Sequence, residues 1–261
     1  MDDRAKREKD FYNTGFDEAR LRYNKKFGHA NSGYFIDVRN EHRMEIMRKA
    51  KGKKVLEVGS YFFDTYLDLK NHAPASVTCI NISETELEKD KEKFIEFTRD
   101  EKLSTEFEFL IMDAHNLKFP DESFDIVYGD AILHHLDFEK AVSEVSRVLK
   151  KGGFCLFSEP MGCNPVGFIV RKLTPSARTP DEKPLGKHEI NILNKYFKTT
   201  YRFFGLFYVP MGAFTMKFSK NPYNIFMYIA NKLDVFMEKC MPMRFRMLYR
   251  LVHVYGQKEG L

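Results

Sequence analysis

Leu117–Glu159 reads LKFPDESFDIVYGDAILHHLDFEKAVSEVSRVLKKGGFCLFSE, and within it strand character gives way to helix and then returns. Phe124–Tyr128 is a short apolar run of the kind that suits a buried parallel strand. From about Phe138 to Lys150, the residues Phe138, Ala141, Val142, Val145, Val148 and Leu149 recur on one helical face. Asp137 can cap the start of that helix, and Gly152 and Gly153 can end it. Phe154–Glu159 is again a strand. Strand, helix, strand at this spacing is the unit of a parallel sheet.

The same alternation extends upstream. Lys53–Gly59 (KKVLEVG) and Val77–Ile82 read as strands, with residues 64–72 as a short helix between them. Ser83, with Glu86 three residues on, forms a capping box that opens a charged helix over 84–98, and Glu106–Met112 is a further strand. Residues 1–50 are charged, with aromatic residues at intervals and a helix over Glu41–Ala50, and read as a helical N-terminal cover. Downstream, residues 160–186 carry five prolines and read as a long connection. His188–Phe197 reads as a helix, and Tyr201–Val209 and Leu248–Gly256 as two final strands.

Hydrophobic content of 43% and charged content of 30% over 261 residues fit one globular domain, 1–261, and exclude a disordered or fibrous chain. Within it, 1–50 is the cover, 51–160 the core, and 161–261 the connection, an insertion and the last two strands. The four cysteines, Cys79, Cys155, Cys163 and Cys240, lack both metal-ligand and disulfide spacing, so reduced thiols and no metal are expected. The charged start and the lack of a long apolar run lead to the expectation of a cytoplasmic protein. Residues 199–261 hold 9 Lys/Arg against 3 Asp/Glu and carry all of the excess positive charge. With no recognition module and with basic residues interleaved among apolar ones, nucleic acid is not the expected partner.

Several stretches together carry a family resemblance: the "PDESFD" turn, "LHHL", the "EVSRVLKKGG" helix end, and upstream VLEVGS, CINISETELEK and MDAHNL. In this order, over roughly residues 53–160, they resemble class I S-adenosylmethionine (SAM)-dependent methyltransferases, in particular the type 11-like family of small-molecule enzymes. The resemblance implies an α/β, Rossmann-like, seven-stranded and mostly parallel sheet whose antiparallel last strand lies beside the fifth. It further implies SAM as cofactor, S-adenosylhomocysteine (SAH) as product, and a cofactor site at the carboxyl ends of the strands. Gly59 would then let backbone approach the methionine part, Glu57 would orient that loop or meet the amino group through a water, and Asn81 would meet the ribose. Asp113, with Ala114 and His115, would hold the adenine, and Ser60, Tyr61 and Ile82 would be further cofactor contacts. Asp130 and Ala131 would lie beside the methionine end, facing the acceptor.

Two departures from the family pattern stand out. The loop after the first strand has one glycine, in Glu57-Val58-Gly59-Ser60-Tyr61-Phe62-Phe63, where the family has several, and Asn81 stands where a carboxylate usually grips the ribose. A non-catalytic SAM-fold protein is therefore a rival reading, and a nucleic-acid methyltransferase a lesser one. Methyl transfer to oxygen gains from a base that removes the hydroxyl proton, and His134, His135 and Glu159 are the candidates, ahead of His29 and His188. The expected acceptor is a hydroxyl of a sugar, a lipid-linked intermediate or a secondary metabolite.

Residues 199–247 contain seven of the twelve methionines and many aromatics. A helix with Asn221 as N-cap and Pro222 in its first turn would align Phe226, Ile229, Ala230, Leu233, Phe236, Met237 and Cys240 as one stripe. That stripe reads either as core packing against the sheet or as an apolar cap that receives a lipid-linked acceptor, with peripheral membrane contact.

Overall fold

The computed structural model describes residues 3–14, 16–18, 21, 32–59, 72–99, 103–175 and 178–259. The strands are β1 (Lys54–Val58), β2 (Ser76–Asn81), β3 (Glu106–Ile111), β4 (Phe124–Asp130), β5 (Leu149–Pro160), β6 (Lys198–Phe204) and β7 (Leu251–Gln257). They form one sheet in the order β3-β2-β1-β4-β5-β7-β6. Strands β1 to β5 pair in parallel, and β7 runs antiparallel between β5 and β6. The expected fold, with its antiparallel last strand beside the fifth, is the observed one.

The helices are α1 (Asp3–Thr14), α2 (Tyr34–Lys49), α3 (Glu84–Thr98), α4 (Phe138–Val148), α5 (Pro165–Leu173), α6 (Lys187–Tyr196), α7 (Tyr208–Thr215), α8 (Ile225–Cys240) and α9 (Met243–Arg246). Alternate residues of the central strands feed cores on opposite faces of the sheet, as the two-residue period requires. Leu56, Val58 and Val127 pack with Val142, Val145 and Leu193 of α4 and α6. Val55, Cys79, Ile126 and Tyr128 pack with Met44 of α2 and Phe94 of α3. A third cluster of Phe35, Phe204, Tyr208, Met227 and Leu251 joins α2, α7 and α8 to the β6/β7 edge.

Local signals placed the core helices. Ser83 Oγ accepts from Glu86 N to open α3, and Asp137 accepts from Lys140 N to open α4, whose buried face is the one expected. All four cysteines are free thiols.

The downstream part departs from the sequence reading in four places. The connection 160–186 contains α5, capped by Asn164 with Pro165 in its first turn. Strand β6 ends at Phe204, and Tyr208 and Val209 belong to α7, because Gly205, at φ +87, breaks the extended run. Leu248–Arg250 precede β7, which starts at Leu251. Helix α8 is capped by Asn224, whose side chain accepts from Phe226 N and Met227 N, so Asn221 and Pro222 lie outside it.

Of the two readings of the α8 stripe, core packing holds for Ala230 and not for most of the rest. The buried face of α8 is Met227, Ala230, Asp234 and Glu238, while Phe226, Ile229, Leu233, Phe236 and Cys240 are exposed. Asp234 is turned inward because its carboxylate accepts from Phe207 N at 2.7 Å and Tyr208 N at 3.1 Å, satisfying the start of α7. The helix expected over 64–72 falls almost wholly outside the described residues.

Candidate functional site

In the strand order, β1 and β4 are neighbours whose next connections leave in opposite directions, and the crevice outside their carboxyl ends is the natural ligand position. A cavity of about 510 Å³ lies there. Its floor is built from the strand ends Val58–Gly59, Ile80–Ile82, Met112–His115 and Asp130–Ile132, and its cover from α1 and α2.

Gly59 turns at φ +93, and a Cβ there would sit 3.0 Å from Ile132 Cγ1, so only glycine lets the backbone close against the turn that follows β4. Glu57 is buried one layer below, where Cys79 Sγ donates to its Oε2 at 3.3 Å, and it does not line the cavity. Asn81 Nδ2 donates to Gly59 O at 3.3 Å and its Oδ1 accepts from Ser83 N at 2.9 Å, so this amide ties the β1 and β2 ends together. Ser60 and Tyr61 lie outside the described residues.

At the end of β3, Asp113 Oδ1 accepts from His115 N at 2.9 Å and faces His115 Nδ1 at 2.7 Å, which lowers the Asp113 carboxyl below its ordinary value. Asp137 N donates to His115 Nε2 at 2.7 Å, which places the ring proton on Nδ1. Asp113 Oδ2 makes no hydrogen bond among the described residues. Asp113, Ala114 and His115 all line the cavity.

After β4 the chain turns sharply, with Ala131 at φ +56, a left-handed conformation uncommon outside glycine. Beneath the turn, the fully buried Glu159 accepts from the N–H groups of Ile132 (3.0 Å), Leu133 (2.8 Å) and His134 (3.3 Å), and lies 2.7 Å from His134 Nδ1. Burial raises the Glu159 carboxyl to about 7 despite these donors. Burial, together with the neighbouring His135, holds His134 well below its ordinary value. Burial would lower His135 too, yet the Glu8 carboxylate 3.1 Å from its Nδ1, with Glu182 and Glu159, outweighs this and raises it. The surroundings of the two adjacent histidines thus push them apart, His134 toward the neutral form and His135 toward the imidazolium.

The cover is fastened to this same turn. Arg4 donates to His135 O at 2.8 Å and Asp181 O at 2.9 Å, and Arg7 pairs with Asp181 at 2.6 Å. Tyr12 Oη lies 3.1 Å from His135 Nε2. From α2, Arg39 pairs with Asp130, and from the loop before β7, Arg250 stacks over Phe35 at 5.0 Å. Glu8, Tyr12, Arg39, Glu86 and Glu182 line the cavity, and the sequence reading singled out none of them as site residues; Arg250, which with Arg244 and Arg246 was read as able to meet an anionic head group or a pyrophosphate, lines it too. Only the regular aromatic residues of the N-terminal segment signalled that it packs on something.

Of the sequence-derived candidates, Gly59, Asn81, Ile82, Asp113, Ala114, His115, Asp130, Ala131, His134 and His135 converge on this one cavity. Glu57 and Glu159 lie behind its wall. His188 is on α6 and does not line it, and His29 is outside the described residues. His134, His135 and Glu182 each place a ligand-type atom within 4.8 Å of the others, but Glu182 is held by Arg178 at 3.2 Å and His135 by Glu8.

Residues 56–157 match the family model described as "Methyltransferase domain". Over 126 residues the chain is 33% identical to glycine/sarcosine/dimethylglycine N-methyltransferase of Actinopolyspora halophila, an alignment covering 46% of this chain and 22% of that protein. Over 130 residues it is 32% identical to sterol 24-C-methyltransferase erg6 of Aspergillus fumigatus, covering 49% of this chain and 33% of that one. The match thus spans a third or less of these two relatives. Geranyl diphosphate C-methyltransferase from Streptomyces coelicolor, solved with Mg2+, geranyl diphosphate and SAH, superposes at a TM-score of 0.59 over 86% of this chain and 80% of its own, at 11% identity.

Proposed function

We propose that this chain, which carries the class I SAM-dependent methyltransferase domain over residues 56–157, binds SAM in the cavity above β1 and β4 and methylates a hydroxyl oxygen of a small or lipid-linked acceptor. The observation that carries the reading is the convergence of Gly59, Asp113 and Asp130, from three separate strand ends, on one cavity. Its volume of about 510 Å³ falls in the range of small-molecule sites, roughly 300–1,000 Å³.

The residues present fit the cofactor. Gly59 brings backbone to the methionine end, and the open Asp113 Oδ2 accepts from the adenine amine. Asn81 spends its amide within the fold, so the ribose carboxylate falls to Glu86, on the first turn of α3. Bound there, the sulfonium supplies the methyl group.

This chain's own residues do the rest. Glu159 and the three N–H groups it accepts fix the turn that carries His134. With its Nδ1 toward Glu159, His134 keeps Nε2 as a neutral acceptor, which takes the acceptor hydroxyl's proton as the oxygen attacks. Glu159 then steadies the imidazolium that forms. His135, set between Glu8 and Tyr12 and shifted toward its charged form by Glu8, positions the cover and is not the base.

The test is transfer of labelled methyl from SAM to a panel of hydroxylated glycans, prenyl-linked sugars and phenolic metabolites. Label in an O-methyl product, lost in His134→Ala, is the expected result. SAH binding with no transfer to any acceptor class would favour the non-catalytic alternative.

A further inference from the structure

In α8 the ordinary arrangement of an amphipathic helix is inverted. Its two carboxylates, Asp234 and Glu238, are buried beside Met227 and Ala230, 2% and 8% exposed. Ile225, Phe226, Ile229, Leu233 and Phe236 face outward, 44–62% exposed. These residues cover one continuous arc, since 225, 229, 233 and 236 follow helical spacing. The arc continues onto the end of α7, where Phe214 packs edge-on to Phe218 at 5.1 Å and Phe218 to Phe226 at 6.0 Å, with Phe214 and Phe218 55% and 57% exposed. Single exposed apolar residues need no explanation, but a contiguous face of this kind marks an interaction surface.

The charge around the face decides what covers it. Lys217, Lys220, Lys232 and Lys239 are exposed along its border. From Lys183 to Lys258 the chain has thirteen Lys and Arg, and its three carboxylates, Glu189, Asp234 and Glu238, are all buried. At one end, the exposed Asp37 accepts from Tyr223 Oη at 3.0 Å. Two copies docked through this face would bring the lysine rim largely against lysine, with Asp37 at one end the one exposed acid seen to touch the face among the described residues. An anionic lipid surface offers what the face lacks, hydrocarbon for the aromatic arc and negative head groups for the lysine rim.

The geometry points to this α7–α8 face as a docking surface for anionic membranes, engaged peripherally. No described helix is long and apolar enough to cross a bilayer. The face adjoins the cavity through α2, where Tyr34 packs on Tyr223 at 5.0 Å and on Tyr228 at 6.2 Å, while the next residues, Phe35 and Ile36, line the cavity. Docking would therefore set the cavity beside the lipid surface. The inference does not depend on the methyl-transfer reading, because its test involves no turnover.

The full chain is sedimented with vesicles of phosphatidylcholine alone and with vesicles that also contain phosphatidylglycerol, at low and high salt. Binding is expected only with phosphatidylglycerol, and it should weaken with salt. Ile229→Asp/Phe236→Asp and, separately, Lys232→Glu/Lys239→Glu should each weaken it by at least about 10-fold, since each basic residue near such a surface contributes about 1 kcal/mol. Both pairs are solvent-exposed, so circular dichroism and melting should match wild type. The proposal is overturned if the wild-type chain stays in the supernatant with anionic vesicles at low salt, or if both folded double variants still bind as wild type. It is equally overturned if light scattering shows a dimer that Phe236→Asp dissociates, which would make the face a self-interface.

Discussion

Glu159 Oε2 lies 2.7 Å from His134 Nδ1, with both side chains buried, and the same carboxylate accepts from three consecutive backbone N–H groups of the turn after β4. One carboxylate therefore sets both the shape of the turn and the orientation of the imidazole at the cavity.

Replacing Glu159 by Gln should separate these two roles. Gln keeps an oxygen for the backbone donors but presents an N–H to Nδ1, so the His134 proton moves to Nε2 and the base is lost. Turnover should fall by about 10² or more while the fold survives. Stability carries a second signature. The native carboxyl is raised from 4.5 to about 7, so the folded chain holds a proton that the unfolded chain has released. Wild type should lose stability relative to Glu159→Gln as pH rises from about 4.5 to about 7, and the difference should level off above that. Melting curves of both proteins across this range check it.

His134→Ala should reduce turnover by about 10² to 10⁴ with little change in SAH affinity. Burial holds His134 below its ordinary value while Glu159 is raised to about 7, so the acid limb of the wild-type rate profile should follow Glu159 and shift in Glu159→Gln. Single-turnover rates unchanged in His134→Ala would remove it as the base.

Much of the core was legible because its signals are local. The apolar runs of β1 and β4, the Ser83 and Asp137 caps and the apolar face of α4 each specify an element without reference to the rest of the chain. The choice of Asn81, Asp113 and Asp130 came from the family resemblance, and their positions at strand ends explain why they converge. Long-range pairings set what was missed. That Glu8 would face His135 across 127 residues, or that Arg39 would pair with Asp130, has no local signal. The face of α8 was left open between core packing and an apolar cap, because helical spacing gives the stripe but not the side it faces; that side is set by the N–H groups at the start of α7, which hold Asp234 inward.

Gly59→Ala should weaken cofactor binding and cost about 1–3 kcal/mol in stability. The added Cβ meets Ile132 at 3.0 Å, and φ +93 is strained for any other residue. Calorimetric titration with SAH together with thermal melts tests both parts, and wild-type values for each would remove the close approach from the account.

Asp113→Ala should weaken SAH binding by about 1–3 kcal/mol through loss of a hydrogen bond in a partly desolvated pocket. His115 stays oriented through Asp137 N, so the loss should appear in affinity more than in stability. Unchanged affinity in the folded variant would place the adenine elsewhere.

The most direct test of the central claim is a crystal structure of the chain grown with SAH, supported by calorimetry on the same preparation. The account predicts SAH in the cavity, with its methionine end at Gly59 and Asp130, its adenine at Asp113, and the sulfur facing His134. No binding heat at millimolar SAH, or density for SAH away from these residues, would contradict it.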